Sequence, residues 1–218
     1  MKRKYAVYLT LTALLFIVIG LHFYNSERIS NRSVIFNFPH HENVAFSIPV
    51  IQRSKNADSI NDMIENTVRE VLRGYAEQTE APIALNNTYA CTYKKRHVMS
   101  FRFSVDIMVE GAPYPVTKVF GLTIDTAAPA VLNILQAADC EDWDGYIRDS
   151  DAEALYGILL SKSGDEILSQ AKEWYMPDKH VQFHKYYLDE SGTVLIFDES
   201  HVYGDYTEVL LKPGKDGR

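Results

Sequence analysis

Met99-Ser100-Phe101-Arg102-Phe103-Ser104-Val105-Asp106-Ile107-Met108-Val109 puts an apolar residue at every second position, with Ser100, Arg102, Ser104 and Asp106 between them. Strict period-two alternation over this length predicts a strand with one face on a core and the other toward water. Glu110-Gly111-Ala112-Pro113-Tyr114-Pro115 follows with turn chemistry. The chain returns with Val116, Phe120, Leu122 and Ile124 in matching parity, Lys118 being the exception. Upstream, Tyr89, Cys91 and Tyr93 alternate with Thr88, Ala90 and Thr92, and the turn Lys94-Lys95-Arg96 leads into the central strand. Strands over 88–93, 97–109 and 116–124 therefore form the expected centre of an antiparallel sheet. The basic tip at 94–96 reads as a solvated turn.

A helix is expected to cover one face of that sheet. After Asp58, a candidate N-cap, Ile60, Met63, Ile64, Val68, Val71, Leu72 and Tyr75 recur at helical spacing, with Gly74 near the end. Before it, Ala45–Ile51 reads as an edge strand because Pro49 interrupts its donors. Beyond Ile124, an acidic stretch runs from Asp139 to Glu153, and helices are expected over 151–161 and 165–175. Tyr186–Leu188 and Thr193–Phe197 flank Asp189-Glu190-Ser191-Gly192 as a second hairpin, and Thr207–Leu211 is a last strand.

The start of the chain has a different character. Lys2, Arg3 and Lys4 precede an uncharged apolar run from Ala6 to Tyr24. As a helix this run would be roughly 30 Å long, about the thickness of a bilayer hydrocarbon core. Basic residues ahead of the span put the N-terminus in the cytoplasm and the bulk outside. A cleaved signal peptide shares the same opening, but no small-x-small pattern follows in His22–Glu27 and the run exceeds a usual signal core. The expected fold class is α+β, an antiparallel sheet packed by helices and preceded by one N-terminal transmembrane helix. The expected organisation is an anchor over 1–24, a polar tether over 25–43 with Val34-Ile35-Phe36 as a short strand, a domain over 44–212 and a tail over 213–218. The domain divides naturally near 125/126.

Hydrophobic and aromatic fractions of 46% and 12% fit a folded chain rather than a disordered one. Without residues 1–24, the 22 Lys and Arg become 19 against 29 Asp and Glu, a net charge of −10. That excess disfavours nucleic acid and anionic lipid as partners and favours a basic ligand or serves solubility alone. Glu141, Asp142, Trp143 and Asp144 are the candidate partner-binding residues, set in the acidic stretch.

The other constellations are weak. His180 and His184 lack the intervening Glu of the helical zinc motif, and four residues apart on a strand they would stand about 13 Å from each other. Cys140–Gly145 resembles a calcium loop with Cys at the first ligand position, and Asp151 stands where the twelfth-position Glu belongs. No metal and no cofactor are expected. Cys91 and Cys140 are the only cysteines. Outside the cell they can pair, closing a loop worth roughly 4 kcal/mol in the chain-entropy model, or remain two separate thiols. No nucleophile elbow or phosphate loop is present. A non-catalytic chain is expected. The alternatives are a structural scaffold or an envelope glycan hydrolase, for which Glu141, Asp142 and Asp144 are the concentrated carboxylates.

Ser47-Ile48-Pro49-Val50 ahead of the 60–75 helix, the Ser100–Val109 strand, and Tyr186–Gly192 leading into Val194–Phe197 resemble one known arrangement. It is the extracytoplasmic domain of the RsiV anti-sigma factors of Gram-positive bacteria, a domain also found ahead of some peptidoglycan deacetylases. The resemblance spans roughly residues 44–211. It departs at Ala127-Ala128-Pro129, where the family has a Gly turn, and in the short Tyr203–Tyr206 segment. It implies a sensing or binding domain at a bacterial cell envelope, with lysozyme, a cationic protein, or a cell-wall component as partner.

Overall fold

The computed structural model describes residues 28–174 and 184–213. The expected anchor over Ala6–Tyr24 lies outside these residues, as do His180 and the tail beyond Pro213. Among the described residues no helix is long and apolar enough to cross a membrane.

Strands β1 (Arg28–Phe38) and β2 (His41–Gln52) form an antiparallel ribbon. Helix α1 (Ala57–Ala76) follows. Then β3 (Ile83–Lys95), β4 (Val98–Val109), β5 (Val116–Asp125) and the short β6 (Ala130–Val131) make a first sheet in that order. Helices α2 (Ile134–Ala137) and α3 (Trp143–Arg148), strand β7 (Ser150–Tyr156) and helix α4 (Gly164–Trp174) come next. Strands β8 (Tyr186–Asp189), β9 (Gly192–Asp198) and β10 (Tyr206–Pro213) complete a second antiparallel sheet ordered β7-β10-β9-β8. The class is α+β, as the alternation pattern implies.

The parity of the central strand holds. Phe101, Phe103 and Val105 are buried, whereas Arg102 and Ser104 are half-buried. Phe103 pairs with Phe120 in the β4–β5 register, their rings stacked at 4.7 Å. Ile60, Ile64, Val68 and Leu72 of α1 close this face together with Phe36, Phe46, Ile48 and Ile51 of the ribbon. Asp58 lies in the first turn of α1 rather than at its cap; the N-cap is Asn56, whose side chain instead donates to Ala127 O at 2.9 Å.

Three readings change. Residues 28–43 are no tether: β1 runs to Phe38, a turn occupies residues 39–40, and β2 begins at His41. Val34, Phe36 and Phe38 alternate into the first core while Ile35 faces out, a pattern hidden by the polar residues before it. Residues 151–156 form β7 rather than the start of a helix. Asp151, Glu153 and Leu155 are exposed against half-buried Ala152 and Ala154, and the antiparallel ladder with β10 overrides the helical preference of Ala, Glu and Leu. The polar face of β4 is not open to water throughout; the second sheet covers Ser100 fully and leaves Arg102 and Ser104 half-buried.

That covered face is polar and matched. Ser100 and Thr123 are both fully buried and share a 2.8 Å hydrogen bond, and Ser100 Oγ accepts from Leu188 N–H at 2.9 Å. Arg102 donates through Nε to Glu208 Oε1 at 2.6 Å and through its other arm to Oε2 at 3.2 Å. Burial works against the guanidinium charge, but the Glu208 hydrogen bond and attraction outweigh it and push the Arg102 pKa further up. Val119, Tyr187, Val194, Ile196 and Leu210 supply the apolar part of the interface. On its outer face the second sheet buries Leu195, Phe197, Val209 and Leu211 against Trp143, Ile147, Ile167 and Ala171.

The outer edge of β2 is terminated by side chains. Asn87 accepts from Ser47 N–H and donates to Ser47 C=O, both at 2.9 Å. Asn61 does the same for Ile51, at 2.7 and 3.0 Å. An amide carries donor and acceptor side by side, so it replaces a neighbouring strand. Asn61→Ala or Asn87→Ala is expected to cost about 1–3 kcal/mol each in urea unfolding, because two part-buried main-chain groups lose their partner. A change below about 0.5 kcal/mol would refute this role.

His184 precedes β8, and its carbonyl accepts from Gly121 N–H at 2.9 Å. Burial, aided by Lys185, lowers its imidazole pKa to about 4. An unfolded His takes up its proton below about 6.5, so between there and about 4 the unfolded chain binds more protons. Stability is therefore expected to fall as the pH drops through this window. The slope of unfolding free energy against pH should flatten in His184→Asn; an equal slope in both proteins would exclude the histidine as its source.

Candidate functional site

The acidic stretch lies beside a groove of about 730 Å³. Its walls are the β3 end (Tyr93, Lys95), the segment from Ala137 through α3 to Ser150, and the β8–β9 turn. Six carboxylates line it, Asp139, Glu141, Asp142, Asp149, Asp189 and Glu190, against Lys95 and Arg148. A cation entering it meets a field of one dominant sign, which a concave surface focuses.

Local structure fixes these groups. Asp142 is the N-cap of α3, accepting from Asp144 N–H at 3.2 Å and Gly145 N–H at 3.0 Å. Gly145 has a specific reason to be glycine, since a Cβ there would lie 2.7 Å from Asp142 Oδ2. Asp189 accepts from Ser191 N–H at 2.9 Å and so shapes the hairpin turn. Arg148 pairs with its neighbour Asp149 at 3.1 Å. On the groove floor Tyr146 Oη and Thr193 Oγ1 are 2.8 Å apart, and Ser150 Oγ donates to the Tyr146 carbonyl at 2.6 Å.

The four expected partner-binding residues separate. Glu141 and Asp142 line the groove. Asp144 is turned to α4, where Lys172 Nζ meets its Oδ1 at 3.0 Å. Trp143 is a core residue, 8% exposed and stacked on Tyr146 at 5.7 Å, so it presents no surface to a partner. In the sequence Asp189 and Glu190 are turn residues; the fold of β8 onto Ser100 and Thr92 carries them to the groove.

Of the two alternatives for Cys91 and Cys140, a disulfide and separate thiols, the structure has the second: both are free. Cys91 is exposed on β3, its Sγ 3.5 Å from the Tyr93 carbonyl, whereas Cys140 lines the groove. Burial, reinforced by Asp142 and Asp139, pushes the Cys140 thiol up, which holds it in the unreactive protonated form.

The architecture defines an α+β domain of two four-stranded antiparallel sheets and a two-stranded ribbon, the two larger sheets packed through a mixed polar and apolar interface, with an acidic groove where their ends meet. No family model matches the chain, and no curated protein does either. Among solved structures the chain is similar to two DUF3298 family proteins. One, from Bacteroides fragilis, shares 9% identity over 86% of this chain and 92% of its own, with a TM-score of 0.43. The other, from Pseudomonas aeruginosa, shares 12% over 86% and 89%, with a TM-score of 0.45.

Proposed function

We propose that this chain is a membrane-anchored, extracytoplasmic binding domain of a bacterial envelope, without catalysis, whose groove receives a cationic protein such as lysozyme. The six-carboxylate groove carries the reading. Its acids suit steering better than acid–base chemistry. Asp139, Glu141, Asp142, Asp149 and Glu190 are exposed, and the Asp142 side chain is spent on a helix cap. Glycoside hydrolysis needs a carboxyl group held in a dry, shaped cleft.

Charge of this kind acts mainly on encounter. Neutralising Glu141→Gln, Asp142→Asn and Glu190→Gln together should slow lysozyme association about tenfold at low salt while leaving dissociation nearly unchanged. Asn remains a good cap, so α3 should survive. The difference should shrink at physiological ionic strength, where exposed charges are screened over about 8 Å. Kinetics on the immobilised chain decide it. Absence of binding at low salt removes lysozyme, and an unchanged association rate in the triple variant removes the groove.

A further inference from the structure

The end of the domain where the described chain begins carries a basic rim. Arg28 opens β1 opposite Gln52, and the turn after β2 adds Arg53 and Lys55. Asn56 ties that turn to the exit of β5 through its hydrogen bond to Ala127 O. Thr126 beside it donates to the His97 carbonyl at 2.7 Å, and His97 follows Lys95 and Arg96 in the β3–β4 turn. Arg28, Arg53, Lys55, Lys95 and Arg96 are all exposed. Asp58 and Asp125 stand among them, Asp125 facing His97 at 3.7 Å and accepting from the Ala127 and Ala128 N–H groups.

The backbone gives a second, independent observation. Arg53 and Arg96 hold left-handed conformations, with φ of 61° and 53°. The other non-glycine residues with positive φ are His40, Asn43, Asp139 and Asp205, the types enriched in that region. Arginine has no such preference. Each turn tip therefore keeps a cation where the backbone favours glycine or asparagine.

We propose that this rim lies against anionic lipid headgroups. The inference rests on the anchor reading of residues 6–24. Arg28 follows Tyr24 by four residues, a reach of at most about 14 Å, so the rim cannot leave the bilayer surface by much more. The acidic groove shares Lys95 with this rim, so its carboxylates oppose the contact at that side, and Arg28, Arg53 and Lys55 at the β1–β2 side carry most of it. The β4–β5 turn, with Tyr114 65% exposed, then stands away from the membrane by the length of β4, roughly 40 Å.

The test uses the full chain with Cys91→Ser and Cys140→Ser, reconstituted in lipid nanodiscs and labelled with an environment-sensitive fluorophore at Ser54→Cys or Tyr114→Cys. In phosphatidylcholine discs with a third of the lipid replaced by phosphatidylglycerol, the label at position 54 should be quenched by lipid-borne quencher, and the label at 114 should not. Lys55→Ala with Arg96→Ala should weaken the contact about 25-fold, at roughly fivefold per charge. A label at 54 that stays in water, or equal quenching with and without phosphatidylglycerol, overturns the rim. Failure of the anchor reading is separately visible as failure of the chain to enter discs. Vesicles of the same two compositions are then added to the chain in solution, and no contact at position 54 with the anionic ones overturns the proposal.

Discussion

Glu208→Ala is expected to lower the unfolding free energy by about 3–5 kcal/mol, measured by urea denaturation at neutral pH. The cause is the group left behind. Arg102 lies between the sheets with its side chain only 24% exposed, and Glu208 is its bidentate partner. Its neighbours Tyr206, which accepts a 3.4 Å hydrogen bond and places its ring 5.9 Å away, and Tyr187 are neutral phenols that do not balance the charge. Removing both charges is a milder change, because an apolar pair needs no compensation. Arg102→Met with Glu208→Leu should recover most of the loss. Equal instability in the single and double variants would mean that shape, not charge, holds the sheets together.

Gly121→Ala is the second severe change, expected to exceed about 4 kcal/mol, beyond the usual range of single substitutions. Gly121 lies on β5 opposite Arg102, on the face that receives β8. A Cβ there would stand 1.7 Å from the Tyr186 carbonyl oxygen and 2.5 Å from its carbon. Both are main-chain atoms, so no rotamer change relieves the clash; β8 must lift, breaking the Gly121 N–H bond to His184 O. Gly74→Ala is the matched control. Nothing lies within 4 Å of its Cβ position, and in a helix the change should be neutral or stabilising by up to about 1 kcal/mol. Similar urea midpoints for the two variants would refute the close approach.

Much of the first sheet was legible because its signals are local. Period-two alternation from Met99 to Val109 and the apolar stripe from Ile60 to Tyr75 each depend on residues a few positions apart. The face of β4 that carries Ser100 and Arg102 was misread for the converse reason. A polar residue looks the same whether its partner is water or Glu208, 106 positions away. Strand β7 was hidden by good helix formers, and its identity comes from a ladder with β10 over fifty residues downstream. At the groove, Glu141 and Asp142 were visible as charge concentration. Trp143 sits beside them in sequence but in the core, because adjacency in sequence says nothing about which side of a short helix a residue takes. Asp189 and Glu190 join them only through the docking of β8.

The β1–β2 ribbon has a mechanical consequence. Its rungs run from Arg28–Gln52 to Phe38–His41, and the chain enters at the Arg28 end. Antiparallel hydrogen bonds lie across the strand direction. A pull on the segment ahead of Arg28 directed back along β1 therefore loads the rungs together, in shear, rather than opening them one after another like a zipper. The pulled strand also carries Phe36 and Phe38, whose rings are seated in the first core, so sliding β1 means dragging them out of it. A load applied at this end would therefore be shared by the whole ribbon rather than borne by one rung at a time.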